Sequence, residues 1–203
     1  MEKTFEIIWK LAIPYQDKRN DKGHAKTVLH FALKLLKIER ADKNIAIPAA
    51  ILHDIGWSQL SKEERFFIYK NKITKEVEIK MKSKIKVRVK HELLGAKLAK
   101  EILEKIKYDK NKIKKIIAII KQHDTGETIL SQEDRLVKDA DKLWTFSKPG
   151  FKADMKRFNF SPTECCSVLV KNLTMPGYFK TKSAKKIARQ ELEKRKKNFK
   201  LNF

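Results

Sequence analysis

Residues 50–57 read AILHDIGW, a histidine and an aspartate side by side inside an apolar run. Ala50, Ile51, Leu52 and Ile55 call for burial. Burying an imidazole beside a carboxylate costs on the order of several kcal/mol unless each is hydrogen-bonded, paired or bound to a metal. Whatever fold the chain adopts must bring partners to His53 and Asp54.

The rest of the sequence supplies helices to do this. Apolar residues make up 41% of the 203 positions, against six glycines and five prolines, which disfavours both a disordered chain and a loop-rich β protein. Phe5, Ile8, Trp9 and Ala12 share one face of a helix over residues 4–13 that ends at Pro14. NDKGHAKTVLHFALKLLK carries Val28, Phe31, Leu35 and Ile38 at helical spacing. Asp42 caps a third helix running to Asp54, with Pro48 in its early part and Gly56 at the expected C′ position.

Residues 58–90 read as an insertion. EERFFIYKNKITKEVEIK has a helical pattern, whereas KIKVRVK alternates like a strand, so a short hairpin or extended arm is expected. Helical periodicity resumes at Glu92 with Leu94, Leu98 and Ile102, and again over residues 112–122 with Ile113, Ile116, Ile117 and Ile120. Ser131 with Asp134 opens a helix to about Phe146, and Ser161-Pro162-Thr163-Glu164 is a capping box with proline at N1. A basic helix over residues 184–197 finishes the chain. The fold class expected is all-α: a helical bundle over residues 1–150 with the insertion at 58–90, and a helical extension over 151–203 packed on the same domain.

Lysine and arginine total 48 against 25 acidic residues, a net charge of +23 that attracts anionic substrates and makes nucleic acid a candidate partner. The lysines are spread through every segment and rarely alternate with exposed aromatics, so compositional drift explains them better than a stacking platform. Cys165 and Cys166 are adjacent and cannot frame a disulfide scaffold, which fits a reducing compartment. No signal peptide pattern opens the sequence and no apolar run is long enough to span a bilayer, so a cytoplasmic protein without membrane contact is expected.

Four of the five histidines, His24, His53, His91 and His123, fall at the start or end of separate helices. His30, seven residues after His24, is the bystander. Asp141 lies in VKDADKLW among Leu136, Val137, Ala140, Leu143 and Trp144. With Asp54 these are six potential ligands on five helices, a donor set suited to Mn, Fe, Co, Ni or Zn, and helical bundles build such centres from inward side chains.

Each piece alone is weak, but the ordered set is not: H, then HD in AAILHDIGW, then HELLGA, then IIKQHD, then DADKLW. Over residues 20–146 it resembles the HD superfamily of metal-dependent phosphohydrolases. The resemblance implies an all-α core and His24, His53, Asp54 and Asp141 as ligands of a first metal. His91 and His123 occupy the places that typically hold a second ion, with Asp54 the residue that touches both and the one on which catalysis turns. It implies phosphoester hydrolysis by metal-activated water, on a nucleotide or nucleotide-derived substrate.

Lys142, Arg19 and Lys121 are candidates to steady phosphate oxygens. Trp57 and Ser58 stand where several relatives carry a lysine or glutamate, which leaves the proton donor to the leaving group unassigned. Trp57 reads as a core aromatic ahead of a base-stacking one. Two alternatives stay open: a one-metal 5′-nucleotidase-like enzyme with His91 and His123 only lining the pocket, and a non-catalytic basic nucleic-acid-binding module. A complete ligand set argues against the second. The basic tail from residue 183 carries no candidate ligand and reads as dispensable for the pocket.

Overall fold

The computed structural model describes residues 2–19, 21–67 and 77–200. Among them are ten α-helices and no strand: α1 (Lys3–Ala12), α2 (His24–Leu36), α3 (Lys43–Leu52), α4 (Lys62–Phe67), α5 (Val77–Lys105), α6 (Lys110–Ile120), α7 (Gln132–Phe146), α8 (Lys148–Phe158), α9 (Pro162–Thr174) and α10 (Lys182–Asn198). Short 3-10 turns follow α1 (Ile13–Tyr15) and α3 (Ile55–Gln59).

Helix α3 is the centre of the bundle. Every residue from Ile45 to Leu52 is buried, and the helix packs against α1, α2, α6 and α7. An element apolar on all sides has to sit in the interior. Asp42 caps it by accepting from the Asn44 N–H at 2.8 Å. Pro48 has no N–H for the carbonyl of Asn44, four residues back; the Tyr108 hydroxyl donates to that carbonyl instead, at 2.7 Å. The proline is tolerated because the loop after α5 replaces its missing bond.

Caps set the other starts. Gly23 takes a left-handed φ of 85° ahead of α2, and the Asp17 carboxylate accepts from the N–H groups of Gly23 and Ala25 at 2.6 and 3.2 Å. Ser131 accepts from Asp134 N–H, and Ser161 and Glu164 make both arms of the expected capping box.

The expected strand at KIKVRVK is instead the interior of α5, which runs unbroken from Val77 into the HELLGA segment. Lysine and arginine are good helix formers, and the alternating apolar residues split by helical phase: Val87 packs against Trp57 and Leu60, whereas Ile85 and Val89 are exposed. The part of the expected insertion at 68–76 lies outside the described residues. Gly56 is not a left-handed C′ residue either. It lies inside the 3-10 turn, where a β-carbon would meet the His91 carbonyl oxygen at 1.9 Å and Gly95 N at 2.5 Å. The turn and α5 touch backbone to backbone through Gly56 and Gly95.

Helix α8 falls between the helix expected to end near Phe146 and the capping box at Ser161, a stretch with no expected element. Ser147 caps it by accepting from Gly150 N–H at 3.1 Å, with the proline in the first turn. The basic tail is part of the core: Ala184, Ile187, Ala188 and Leu192 of α10 are buried in the main apolar cluster, and α10 packs on α7 and α9. Asp139 ties its start to α7, accepting from Lys180 N–H, Thr181 N–H and the Thr181 hydroxyl at 2.7–2.8 Å. Both cysteines are buried and unpaired to each other. No helix among the described residues is long and apolar enough to cross a membrane.

Candidate metal centre

All six expected ligands converge. His53 and Asp54 follow the last turn of α3, His24 opens α2, His91 lies within α5, His123 follows α6, and Asp141 lies on α7. His53 Nδ1 is 2.9 Å from the Ala50 carbonyl and His123 Nδ1 is 2.9 Å from the Ile120 carbonyl. A carbonyl can only accept, so each Nδ1 carries a proton, and Nε2 is the nitrogen that is free to offer a lone pair to a metal. The geometry recurs because both histidines sit just past a helix C-terminus, where carbonyls lack intrahelical donors.

The Nε2 atoms face one another and the carboxylates. His24 and His53 are 3.1 Å apart at Nε2, and His91 and His123 are 3.3 Å apart. Asp54 divides its oxygens between the pairs. Oδ2 lies 3.1 Å from His24 and 3.7 Å from His53, and Oδ1 lies 3.3 Å from His123 and 3.4 Å from His91. Asp141 Oδ1 completes the first group at 3.3 Å from His24 and 3.5 Å from His53.

A first-row ion with ligands at about 2.1 Å spaces neighbouring donors about 3.0 Å apart in an octahedron and about 3.4 Å in a tetrahedron. Six of the eight separations fall in that interval, and the two that exceed it, 3.5 and 3.7 Å, are both to His53. Lone pairs and carboxylates held this close repel unless protons or cations lie among them, so the donor set fits divalent ions in two groups, His24–His53–Asp54 and Asp54–His91–His123, with Asp141 beside the first through His24 and His53.

Electrostatics without metal agree. Burial alone pulls His24 down, but the Asp141 and Asp54 carboxylates outweigh it and hold the imidazole up at about 10. Burial likewise lowers His123, and Asp54 more than reverses it, to about 9. His91 stays depressed, since burial exceeds its hydrogen bond to Asp54. Burial would raise Asp54, yet the Arg19 guanidinium and His53 hold it well below the usual carboxylate range. Burial opposes ionisation of Asp141 too, and the hydrogen bonds from His24 and His53 keep it well below normal.

Several supporting residues escaped the sequence reading. Trp57 lies flat on His91 and donates Nε1–H to Asp54 Oδ1 at 2.9 Å. With His91 on its ring and Arg19 4.5 Å over it, Trp57 is 1% exposed and has no room to stack on a base. Glu92, fully buried, accepts from Asp124 N–H, Thr125 N–H and the Thr125 hydroxyl at 2.5–2.9 Å, fixing the turn that presents His123. An acid directly after His91 in HELLGA was the available signal. Helical placement of KIKVRVK also sets Arg88 one turn before His91, where it pairs with Asp124 at 2.5 Å.

The ligands open into a cavity of about 450 Å³ whose lining includes His24, Asp54, His123 and Asp141. Arg19 and Lys142 line it as well. Arg19 Nη2 is 2.5 Å from Asp54 Oδ2, and Lys142 Nζ donates to the Tyr178 carbonyl at 2.6 Å. Lys121 is exposed and does not line the cavity, because the turn that carries His123 inward leaves it facing out. His30 is exposed on α2, as a bystander should be. A larger groove of about 790 Å³ beside α2 and α3 contains none of the six ligands.

Fold and centre together define a class: an all-α bundle with a metal-competent His/Asp site. The HD domain family model matches residues 22–145, more than half of the chain and the span holding all six residues. The chain belongs to the HD domain family, whose members are generally metal-dependent hydrolases. No curated protein and no solved structure matches it.

Proposed function

We propose that this protein is a two-metal phosphohydrolase, a phosphatase or phosphodiesterase acting on a small, nucleotide-type phosphoester. The observation that carries the reading is Asp54, whose two oxygens each face a separate pair of imidazoles. His24, His53, Asp54 and Asp141 would hold one ion, and His91, His123 and Asp54 the other. Bound divalent ions lower the pKa of water and neutralise phosphoryl charge. Asp54 is then the residue on which turnover depends.

The protein's own side chains prepare the site. His53 and His123 are locked with Nε2 inward by the carbonyls of Ala50 and Ile120, and Trp57 orients Asp54 through Oδ1. Arg19 and Lys142 place positive charge on the cavity wall for phosphate oxygens. The net charge of +23 draws anionic substrate toward it.

The test is metal content with hydrolysis of bis-p-nitrophenyl phosphate and mononucleotides. Protein loaded with Mn, Fe or Co holds about two ions per chain, the number expected of a two-metal site, and hydrolyses a phosphoester. Asp54→Ala abolishes turnover with helical circular dichroism retained, and His91→Ala lowers the metal content toward about one ion. Full activity in chelated protein overturns the reading. A single tight ion that survives His91→Ala replaces it with the one-metal nucleotidase.

A further inference from the structure

The cavity that holds the metal ligands has a second wall of different chemistry. Phe158 at the end of α8, Val168 and Asn172 of α9, and Tyr178 beyond it all line the same space. The HD domain match stops at residue 145, so this wall is added by the chain's own C-terminal helices. These four side chains carry no formal charge, and Asp154 and Arg157 of α8, which line the cavity beside them, pair with each other at 2.9 Å.

The wall is fastened directly to the ligand-bearing elements. Lys142, the residue after Asp141, donates to the Tyr178 carbonyl and lies 5.0 Å over its ring. Arg157 Nη2 reaches the backbone carbonyl of Arg19, whose guanidinium rests on Asp54. Whatever sits with its phosphate at the ligands therefore has this wall beside it.

The wall's composition is unusual for a surface kept only for packing. Val168 is 42% exposed although it lines a concave site. Asn172 makes one side-chain hydrogen bond, from Nδ2 to the Tyr178 hydroxyl at 3.3 Å, and its amide oxygen has no protein partner among the described residues. Small-molecule sites have this character: apolar area with a few placed polar groups, in cavities of about 300–1,000 Å³.

We propose that this wall is the subsite for the organic group of the phosphoester, with Phe158 and Val168 against its apolar face and Asn172 reading a hydrogen-bonding edge. It rests on the phosphohydrolase reading and narrows the substrate to a monoester of an uncharged, partly apolar group. Arg157, the cation of α8 on this cavity, is paired with Asp154 at 2.9 Å and bonded to the Arg19 carbonyl, so a second phosphate or other anionic tail would meet the Asp154 carboxylate beside it.

Thymidine 5′-monophosphate and ribose 5-phosphate test this, because both lose phosphate from a primary alcohol and differ in the flat organic group. Wild-type protein has the lower KM for the nucleotide. Val168→Asp and Asn172→Ala each narrow the KM ratio between the two substrates about tenfold, the discrimination a single lost contact supports. Lys114→Ala, on the exposed face of α6, leaves the ratio as it was. Ligand-observed NMR with thymidine, which cannot be hydrolysed, gives saturation transfer from wild-type protein that Val168→Asp removes.

An unchanged ratio in both active variants, with thymidine signals unaltered, overturns the subsite and leaves the hydrolase reading intact. Thymidine binding that depends on Val168, in a protein that hydrolyses nothing with any metal, sustains the subsite and overturns the hydrolase reading.

Discussion

Trp57 lies parallel to His91, ring centroids 4.0 Å apart at 15°, while its indole N–H donates to Asp54 Oδ1 at 2.9 Å. One side chain thus orients two candidate ligands of the same group. His91 Nδ1 is buried without a hydrogen-bond partner among the described residues, so stacking, rather than an outer carboxylate or carbonyl, holds its ring.

Trp57→Phe keeps an aromatic face for His91 and deletes the donor to Asp54. Metal affinity should fall about 10–100-fold, the usual cost of losing an outer-shell hydrogen bond, with little change in helicity. Competition against a fluorescent chelator measures it. Unaltered affinity would mean that the indole N–H does not orient the carboxylate.

Gly56 and Gly95 let the 3-10 turn after α3 rest on the backbone of α5. A methyl group at Gly56 meets the His91 carbonyl at 1.9 Å, and neither backbone can yield cheaply. Gly56→Ala should cost about 3 kcal/mol or more in denaturant unfolding, at or above the upper end of overpacking, and should weaken metal binding because His91 moves with α5. A midpoint equal to wild type would place the turn away from α5.

The basic tail is a structural helix. Leu192 is 3% exposed in the main apolar cluster, so Leu192→Ala should cost about 2–5 kcal/mol, and deletion from residue 182 should abolish cooperative unfolding. Urea titration reads both. A truncated chain with an unshifted midpoint would show that α10 does not support α7.

The convergence of the six candidate ligands was legible because metal chemistry restricts such a set to a few residue types, and burial forces each into a recognisable place at a helix end or on an apolar face. Most helix starts were equally visible, since Asp42, Ser131 and Ser161 cap through local bonds. What failed depends on distant partners. Phase in KIKVRVK is decided by Val87 meeting Trp57 and Leu60, α8 hides behind a proline and glycine that serve its first turn, and the lysines of α10 mask a buried stripe of Ala184, Ile187, Ala188 and Leu192. Gly56 looked like a helix stop because no local signal shows that another backbone touches it.

Protons and metal compete for the centre. In the metal-free chain His24 is held at about 10 and His123 at about 9, against an ordinary 6.5. Both are raised, so the stability they lend is fully present below about 6.5 and is lost as pH rises through about 9 and 10. Metal binding needs both imidazoles neutral. Asp54 and Asp141 are already ionised, being held well below the usual range, and contribute no protons. Loading both ions should therefore release about two protons per chain at about pH 7.5, one from each group, and the apparent Kd of each ion should tighten about tenfold per pH unit between roughly 6.5 and 8.5. Calorimetry in two buffers of different ionisation enthalpy counts the protons, and chelator competition across that interval gives the slope. No proton release and a flat Kd would mean that His24 and His123 already stand neutral before the ions arrive.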